Sequence, residues 1–396
     1  MYISGARLPS EMAHGIQIMQ NCEAFAANGT DVRLWFARRG VTTVEKTLWD
    51  FYGVSQVFAI RKLPVLNIHK WLDGRAPAGI VALSFYLMLI TFGIAAGIGA
   101  WFVRPDVIYG RDPLPLLVAG WLNPRRRVVW EAHSLKTSGR GAWMQRQVLR
   151  RAHLTVAITP PLRRDLLQLE PNARIIVAHD GIRAERFDKV ADQFSARDLA
   201  GWPQDKFIVG YMGRLTTYNM TKGINTVIDA IARLPGRENF AIALVGGPDE
   251  IAAQYKAQWM ALGLHESNFL YAGQVEAADV PRYLSAFDIC VMPFPRQDHF
   301  TFYTSPLKLF EYMASGRALV ASDLPSWADV LRHEDNALLY PPEEANGLAA
   351  SIARLKDDSE LRKRLGEQAR QDAFEIYTWD ARARRLLDAI SAETLA

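Results

Sequence analysis

The chain has 396 residues, 49% hydrophobic and 22% charged, with a mean hydropathy of −0.04, a globular balance that excludes disorder, collagen and coiled coil. Its two cysteines, Cys22 and Cys290, exclude a disulfide scaffold or a cysteine-rich zinc site and suit a reducing compartment. The net charge of +4 is a cancellation. Residues 1–190 carry 25 Lys and Arg against 14 Asp and Glu (+11), and residues 191–396 carry 21 against 28 (−7). A basic half points to an anionic partner such as nucleic acid, a phosphorylated ligand or a membrane surface.

In chain order, Tyr2–Gly5 reads as a short strand, Ile16–Asn28 as an amphipathic helix closed by Gly29, and Asp31–Ala37 as an alternating strand. No basic-then-apolar stretch opens the chain, so no secretory signal is expected. Short strands follow at Val107–Tyr109, Arg127–Trp130, Leu154–Ile158 and Arg174–Val177, with helical patterns between them, the βαβ rhythm of a mostly parallel sheet. The rhythm repeats with strands at Phe207–Met212, Phe240–Val245, Asn268–Tyr271, Ile289–Pro293, Ala318–Ala321 and Ala337–Tyr340. Helices are expected at Gly223–Leu234, Glu250–Leu262, Val280–Ala286 and Pro306–Ser315. Glu360–Ile390 reads as helical with a break near Tyr377-Thr378-Trp379. The polar stretch Arg186–Lys206 is the expected linker. The expected domains are 1–190 and 191–375, with a last helix at about 376–396 returning to the first.

One segment competes with this picture. No charge falls between Arg75 and Arg104, and Ala78–Val103 is long enough to span a bilayer at about 1.5 Å per residue. A spanning helix would split the first sheet across the membrane. The expectation is therefore a helix buried on the sheet or lying partly in the membrane face, with Gly93, Gly97 and Gly99 permitting close packing.

Two stretches carry the chemistry. In SPLKLFEYMASGRALVASD, Ser305 is placed to cap a helix with Pro306 as its first residue. The free N–H groups of that turn form an anion site, Lys308 adds a positive charge, and Glu311 can reach ribose hydroxyls. In GYMGRLTTYNMTKG, Gly213 allows a tight turn at a strand end, and Arg214 and Lys222 flank a polar loop, the provision a diphosphate needs. Each has a plain structural reading as well: an amphipathic helix with an incidental cap, and a surface loop with two solvated cations. There is no Walker loop and no G-x-G-x-x-G after the first strand, which counts against a nicotinamide enzyme. His14-Gly15 opens the first helix, where glycine lets a ligand approach backbone, and His133 follows a strand end, where a lone histidine is often structural. There is no D-x-D, and the histidines lack ligand spacing, so no metal is expected.

PSEMAHGIQIMQNCEAFAANG, WEAHS, VAHDGI, GRLTTYNMTKG and SPLKLFEYMASGRALVASD, in this order, resemble glycosyltransferase family 4 over nearly the whole chain. The resemblance implies an α/β chain of the GT-B fold, with two Rossmann-like doubly wound domains facing across a cleft. It also implies a retaining transferase of hexosyl type with no cofactor and a nucleoside-diphosphate sugar as donor, and the missing D-x-D makes metal independence the expectation. On that footing Arg214 and Lys222 would bind the diphosphate and stabilise the charge that grows on it, and Ser305–Leu307, Pro306 among them, would offer backbone to the phosphates. Glu311 would hold the ribose as the second Glu of the E-x(7)-E motif, with Lys308 and Gly213 beside the donor. Gly15 would match the glycine loop, His14 the acceptor side and His133 the histidine near the transferred sugar. The mechanism implied is front-face displacement, with the donor phosphate helping to deprotonate the acceptor. One departure stands out: Tyr303 occupies the place of the first Glu.

The basic half and the apolar 76–103 segment point to an anionic membrane surface. The expectation is a peripheral protein at the cytoplasmic face of the cell membrane, acting in cell-envelope polysaccharide synthesis on a glycan or on a polyprenyl or other lipid-linked acceptor. No nucleic-acid partner is expected, because Arg125–Arg127 and Arg150–Arg151 lack interleaved aromatics. The alternatives are a non-catalytic sugar-nucleotide-binding protein and a sugar-nucleotide epimerase of the same fold.

Overall fold

The computed structural model describes residues 1–10, 12–39, 47–188, 191–217 and 220–392. The chain divides into two compact units, Met1–His179 with Trp379–Ala396, and Asp180–Thr378.

The first unit runs β1 (Tyr2–Ser4), α1 (Ala13–Ala27), β2 (Arg33–Ala37), α2 (Leu48–Tyr52), β3 (Ala59–Leu63), α3 (His69–Leu72), α4 (Ala78–Val103), β4 (Val107–Gly110), α5 (Pro113–Leu122), β5 (Arg127–Ala132), α6 (Gly139–Arg151), β6 (Leu154–Ala157), α7 (Pro160–Leu169) and β7 (Ile175–Val177). Its seven strands form a parallel sheet in the order β3-β2-β1-β4-β5-β6-β7. The inner strands VIYG, RVVWEA and LTVA are nearly continuous apolar runs because helices cover both faces of such a sheet. The edge strand β3 reads AIRKL instead, and its exposed Arg61 and Lys62 keep the free edge from pairing with another chain.

The second unit runs α8 (Gln193–Ala200), β8 (Phe207–Met212), β9 (Thr216–Thr217), β10 (Met220–Thr221), α9 (Ile224–Ala232), β11 (Phe240–Val245), α10 (Asp249–Ala261), β12 (Phe269–Tyr271), α11 (Val280–Ala286), β13 (Ile289–Met292), α12 (Asp298–Phe302), α13 (Leu307–Ala314), β14 (Ala318–Ser322), β15 (Leu338–Tyr340), α14 (Ala345–Asp357) and α15 (Ser359–Ile376). Its main sheet is parallel in the order β12-β11-β8-β13-β14-β15, with FIVGYM and FAIALV buried along their whole length. The chain then returns to the first unit as α16 (Trp379–Ser391), which packs on α1.

The helical break near Tyr377 and the strands of the second half lie where the sequence puts them. Three details differ. The linker stretch 186–206 contains α8, capped by Asp192, whose Oδ1 accepts the Ser195 N–H at 3.0 Å. The polar loop after Arg214 is a two-stranded ribbon, β9–β10, whose tip residues 218 and 219 lie outside the described residues. Helix α4 is neither fully buried nor free: one side packs on α5, β2 and β3, and only 28% of its most apolar stretch is buried.

A doubly wound sheet binds ligands where its strand order reverses, beyond the carboxyl ends of the strands. Those places are β1/β4 in the first unit and β8/β13 in the second.

Candidate functional site

In the second unit, β8 ends at Met212 and Gly213 turns the chain with φ +126°, a region closed to ordinary side chains. An added Cβ there would sit 2.6 Å from Lys308 Nζ, so the turn and the lysine are in contact. Tyr312 of α13 bonds both backbone groups of Met212, accepting its N–H at 2.7 Å and donating to its carbonyl at 2.9 Å. Those two bonds fix α13 against the end of β8. Gly223, at φ +78°, opens α9 and lies against the Pro293 carbonyl at the end of β13, too close for any Cβ.

Lys222 is buried at 7% exposure, with Nζ 4.2 Å from the centre of the Phe300 ring and 4.7 Å from that of Phe294. Burial, with Arg214 adding to it, lowers its pKa to about 8. Lys308 Nζ stands 3.9 Å over the Tyr211 ring and 5.5 Å from Phe294, and it donates to the Tyr211 hydroxyl. Burial and then Lys222 push this ammonium well below its ordinary range, against the pull of Glu311. Glu311 is shifted upward by burial, with Arg186 and Lys308 opposing the shift. Arg214, Lys222, Lys308 and Glu311 therefore act on one another at the β8/β13 switch point. Two lysines on aromatic faces in a partly dry place have the chemistry to hold a polyanion.

Two sequence expectations for α13 change. Ser305 is not its cap: the structure makes Pro306 the N-cap residue, starts the helix at Leu307, and gives Ser305 Oγ to the Asp180 N–H at 3.0 Å. The N–H groups of Leu307 and Lys308 still open the helix without an intrahelical acceptor, so the anion-binding end survives the shift. Tyr303 ends α12 with its N–H bonded to the His299 carbonyl at 3.2 Å. Asp298, in the same helix, is exposed.

The first unit carries a different cluster. Glu131, on β5, is completely buried. One of its oxygens accepts from Gln17 and lies 2.7 Å from His133 Nε2; the other accepts from Tyr109 and from Asn21 at 3.2 Å and forms an ion pair with Arg382 Nη2 at 3.1 Å. Burial alone would raise its pKa, but Arg382, His133 and Arg111 together hold it well below the usual carboxylate range. His133 is lowered to about 4 by burial and then Arg111, against Glu131, so the ring is neutral at pH 7. With Nε2–H donating to Glu131, its Nδ1 is left as an acceptor. His14, on α1, is also lowered by burial and by Arg111.

Gly15 has a packing reason. The volume its Cβ would need is taken by Tyr52 Oη, which accepts from the Ser10 N–H at 2.7 Å and donates to the Ser10 carbonyl at 2.9 Å. Tyr52 thus fills the space on the side where a Cβ of residue 15 would point. Arg382, Gln17, Asn21 and Arg111 escape a reading by motif because they come from α16, α1 and the end of β4. Phe294, Phe300 and Tyr211 escape it because they read as ordinary core. Among the described residues no group of three or more His, Cys, Asp or Glu comes together as a metal site.

Residues 15–186 match the family described as Glycosyltransferase Family 4, and residues 206–358 the family described as Glycosyl transferases group 1. A phosphatidyl-myo-inositol mannosyltransferase of Mycolicibacterium smegmatis is 29% identical over 174 residues, which is 44% of this chain and 42% of that protein. The chain spans about half the length of the curated relatives it matches. Among solved structures, sucrose-phosphate synthase from Thermosynechococcus elongatus has a TM-score of 0.73 at 21% identity, covering 98% of this chain and 96% of that one. Anabaena HepE in complex with UDP has a TM-score of 0.72 at 18% identity, covering 98% of both chains. These two likenesses are of fold.

Proposed function

Because the chain belongs to glycosyltransferase family 4 and takes the GT-B fold, we propose that it moves a sugar from a nucleoside-diphosphate sugar to a glycan or lipid-linked acceptor, with retention of configuration. The observation that carries this reading is the set of Arg214, Lys222 and Lys308 at the β8/β13 switch point. A diphosphate set against them compensates the buried lysines. As the glycosidic bond breaks, negative charge builds on that diphosphate, and cations already in place stabilise it without reorganising. Glu311, one turn into α13, is the ribose contact.

His133 presents a neutral acceptor nitrogen, suited to orienting a sugar hydroxyl rather than to attacking the anomeric carbon. The acceptor hydroxyl then attacks from the face the diphosphate leaves, and the proton passes to the departing phosphate. No enzyme nucleophile and no metal enter this scheme. The relative named above is a mannosyltransferase whose name specifies a lipid, phosphatidyl-myo-inositol, and it supports a lipid-linked acceptor.

The test is incubation with a panel of sugar nucleotides, UDP-glucose among them, and a set of lipid-linked and glycan acceptors, with the anomeric linkage read by NMR. Retained transfer that survives chelation supports the reading. Transfer lost on chelation and restored by magnesium or manganese contradicts metal independence. A second reading, a non-catalytic sugar-nucleotide-binding protein, is favoured by Tyr303 standing in place of the carboxylate that the resemblance expects. Tight donor binding with neither transfer nor hydrolysis selects it.

A further inference from the structure

Helix α4 has two apolar faces, and its own unit covers one. Met88, Phe92, Gly93, Ala96 and Gly97 are buried, and the glycines bring α5 close: a Cβ at Gly93 would meet the Pro115 carbonyl at 3.0 Å, and one at Gly97 the Ala119 Cα at 3.2 Å. The other face is bare. Leu83 is 65% exposed, Trp101 53% and Phe102 82%, with Ile90, Ile94 and Ile98 exposed between them. At 3.6 residues per turn these positions form one stripe along the helix. Its end is aromatic: Trp101 donates to the Leu122 carbonyl at 2.7 Å, and its neighbour Trp121 is also exposed.

The chain that follows the stripe is predominantly basic, although Asp106, close to Arg104, is exposed. Residues 113–151, which run from α5 through the adjoining α6, contain eight Lys and Arg and one acidic residue, the fully buried Glu131. Arg125, Lys136 and Arg140 are exposed among them, as is Arg104 at the end of α4, with Trp143 exposed on α6. A two-fold contact between copies of this chain would set these cations against one another. Spanning is opposed by connectivity, since α4 leaves β3 and returns to β4 of the same sheet while its glycine face stays on α5.

We infer that α4 is an in-plane membrane helix: its bare stripe seats at the boundary between headgroups and acyl chains of an anionic bilayer. Trp101, Trp121 and Trp143 then lie at headgroup depth, and the arginines that follow α5, with those of α6, bind lipid phosphate. The inference deepens the reading of a lipid-linked acceptor and rests on it, because it names the surface that brings such an acceptor to the protein.

The test is flotation of the full chain with neutral phosphatidylcholine vesicles and with vesicles in which about a third of the lipid is phosphatidylglycerol. Binding to a sugar-nucleotide panel is followed in parallel by thermal shift. The expected result is strong, salt-sensitive binding to the anionic vesicles and release by a high-pH wash. The Leu83→Ser/Phe102→Ser double variant should lose about tenfold in partitioning with its donor response and circular dichroism intact. Resistance to the wash overturns the in-plane geometry. No binding, or binding indifferent to the double variant, overturns the docking, as does a self-association that the variant abolishes. Vesicle binding without any donor response contradicts the transferase reading alone, so the two failures are distinguishable.

Discussion

The second unit gathers Arg214, Lys222 and Lys308 at the end of β8 and rests the two lysines on the rings of Tyr211, Phe294 and Phe300. Among the described residues no carboxylate offsets the charge of Lys222. The first unit does the reverse at the end of β5. It buries the single carboxylate of Glu131 and surrounds it with Arg382, Tyr109, Asn21, Gln17 and His133. One cluster is closed by its own side chains, and on the proposed reading the other is completed by the diphosphate of the donor. Substitutions in the first should therefore cost stability, and substitutions in the second should cost ligand binding and turnover.

The largest stability effect is expected for Arg382→Met, which strands a buried carboxylate. Urea unfolding should show a loss of about 3–5 kcal/mol, and a change within experimental error would break the comparison. Lys222→Met should act in the opposite sense. Transfer should fall about a hundredfold or more while stability holds or rises, because a desolvated cation is removed. A Lys222→Met protein that unfolds more easily would place that lysine among structural groups.

The pH dependence follows from the same lysine. Its folded-state pKa of about 8 lies below the ordinary 10.5, so between those values the unfolded chain binds the proton that the folded one has lost. Stability gains from this group as pH rises through that window and is penalised below it. Donor affinity moves the other way: it should weaken above about pH 8 as the ammonium discharges, and Lys222→Arg should carry the plateau to higher pH. Calorimetric titration of nucleoside diphosphate from pH 7 to about 9.5 reads this, and a flat profile denies Lys222 its part. Phe300→Leu, which removes one ring beneath Lys222, should weaken donor binding by about tenfold or less and leave the His133 cluster untouched.

Much of this architecture was legible beforehand. Buried parallel strands show as apolar runs, and Gly213, Arg214 and Lys222 fall within ten residues of one another in sequence. The edge strand β3 did not announce itself, because Arg61 and Lys62 suit an edge and spoil the apolar pattern. Ser305 was misjudged because its hydroxyl had a competing donor, the Asp180 N–H, in a distant segment. Arg382 could not be read from a motif at all, since it reaches Glu131 only after α16 has returned to α1. Contacts that depend on such returns leave no local signature.

The most direct test of the account is nucleoside-diphosphate binding, measured by calorimetry near pH 7 on the wild type, Lys222→Met and Arg382→Met. The account predicts that Lys222→Met abolishes binding in a protein as stable as the wild type, while Arg382→Met loses stability and keeps whatever binding its folded fraction shows. Undiminished binding by Lys222→Met would contradict it.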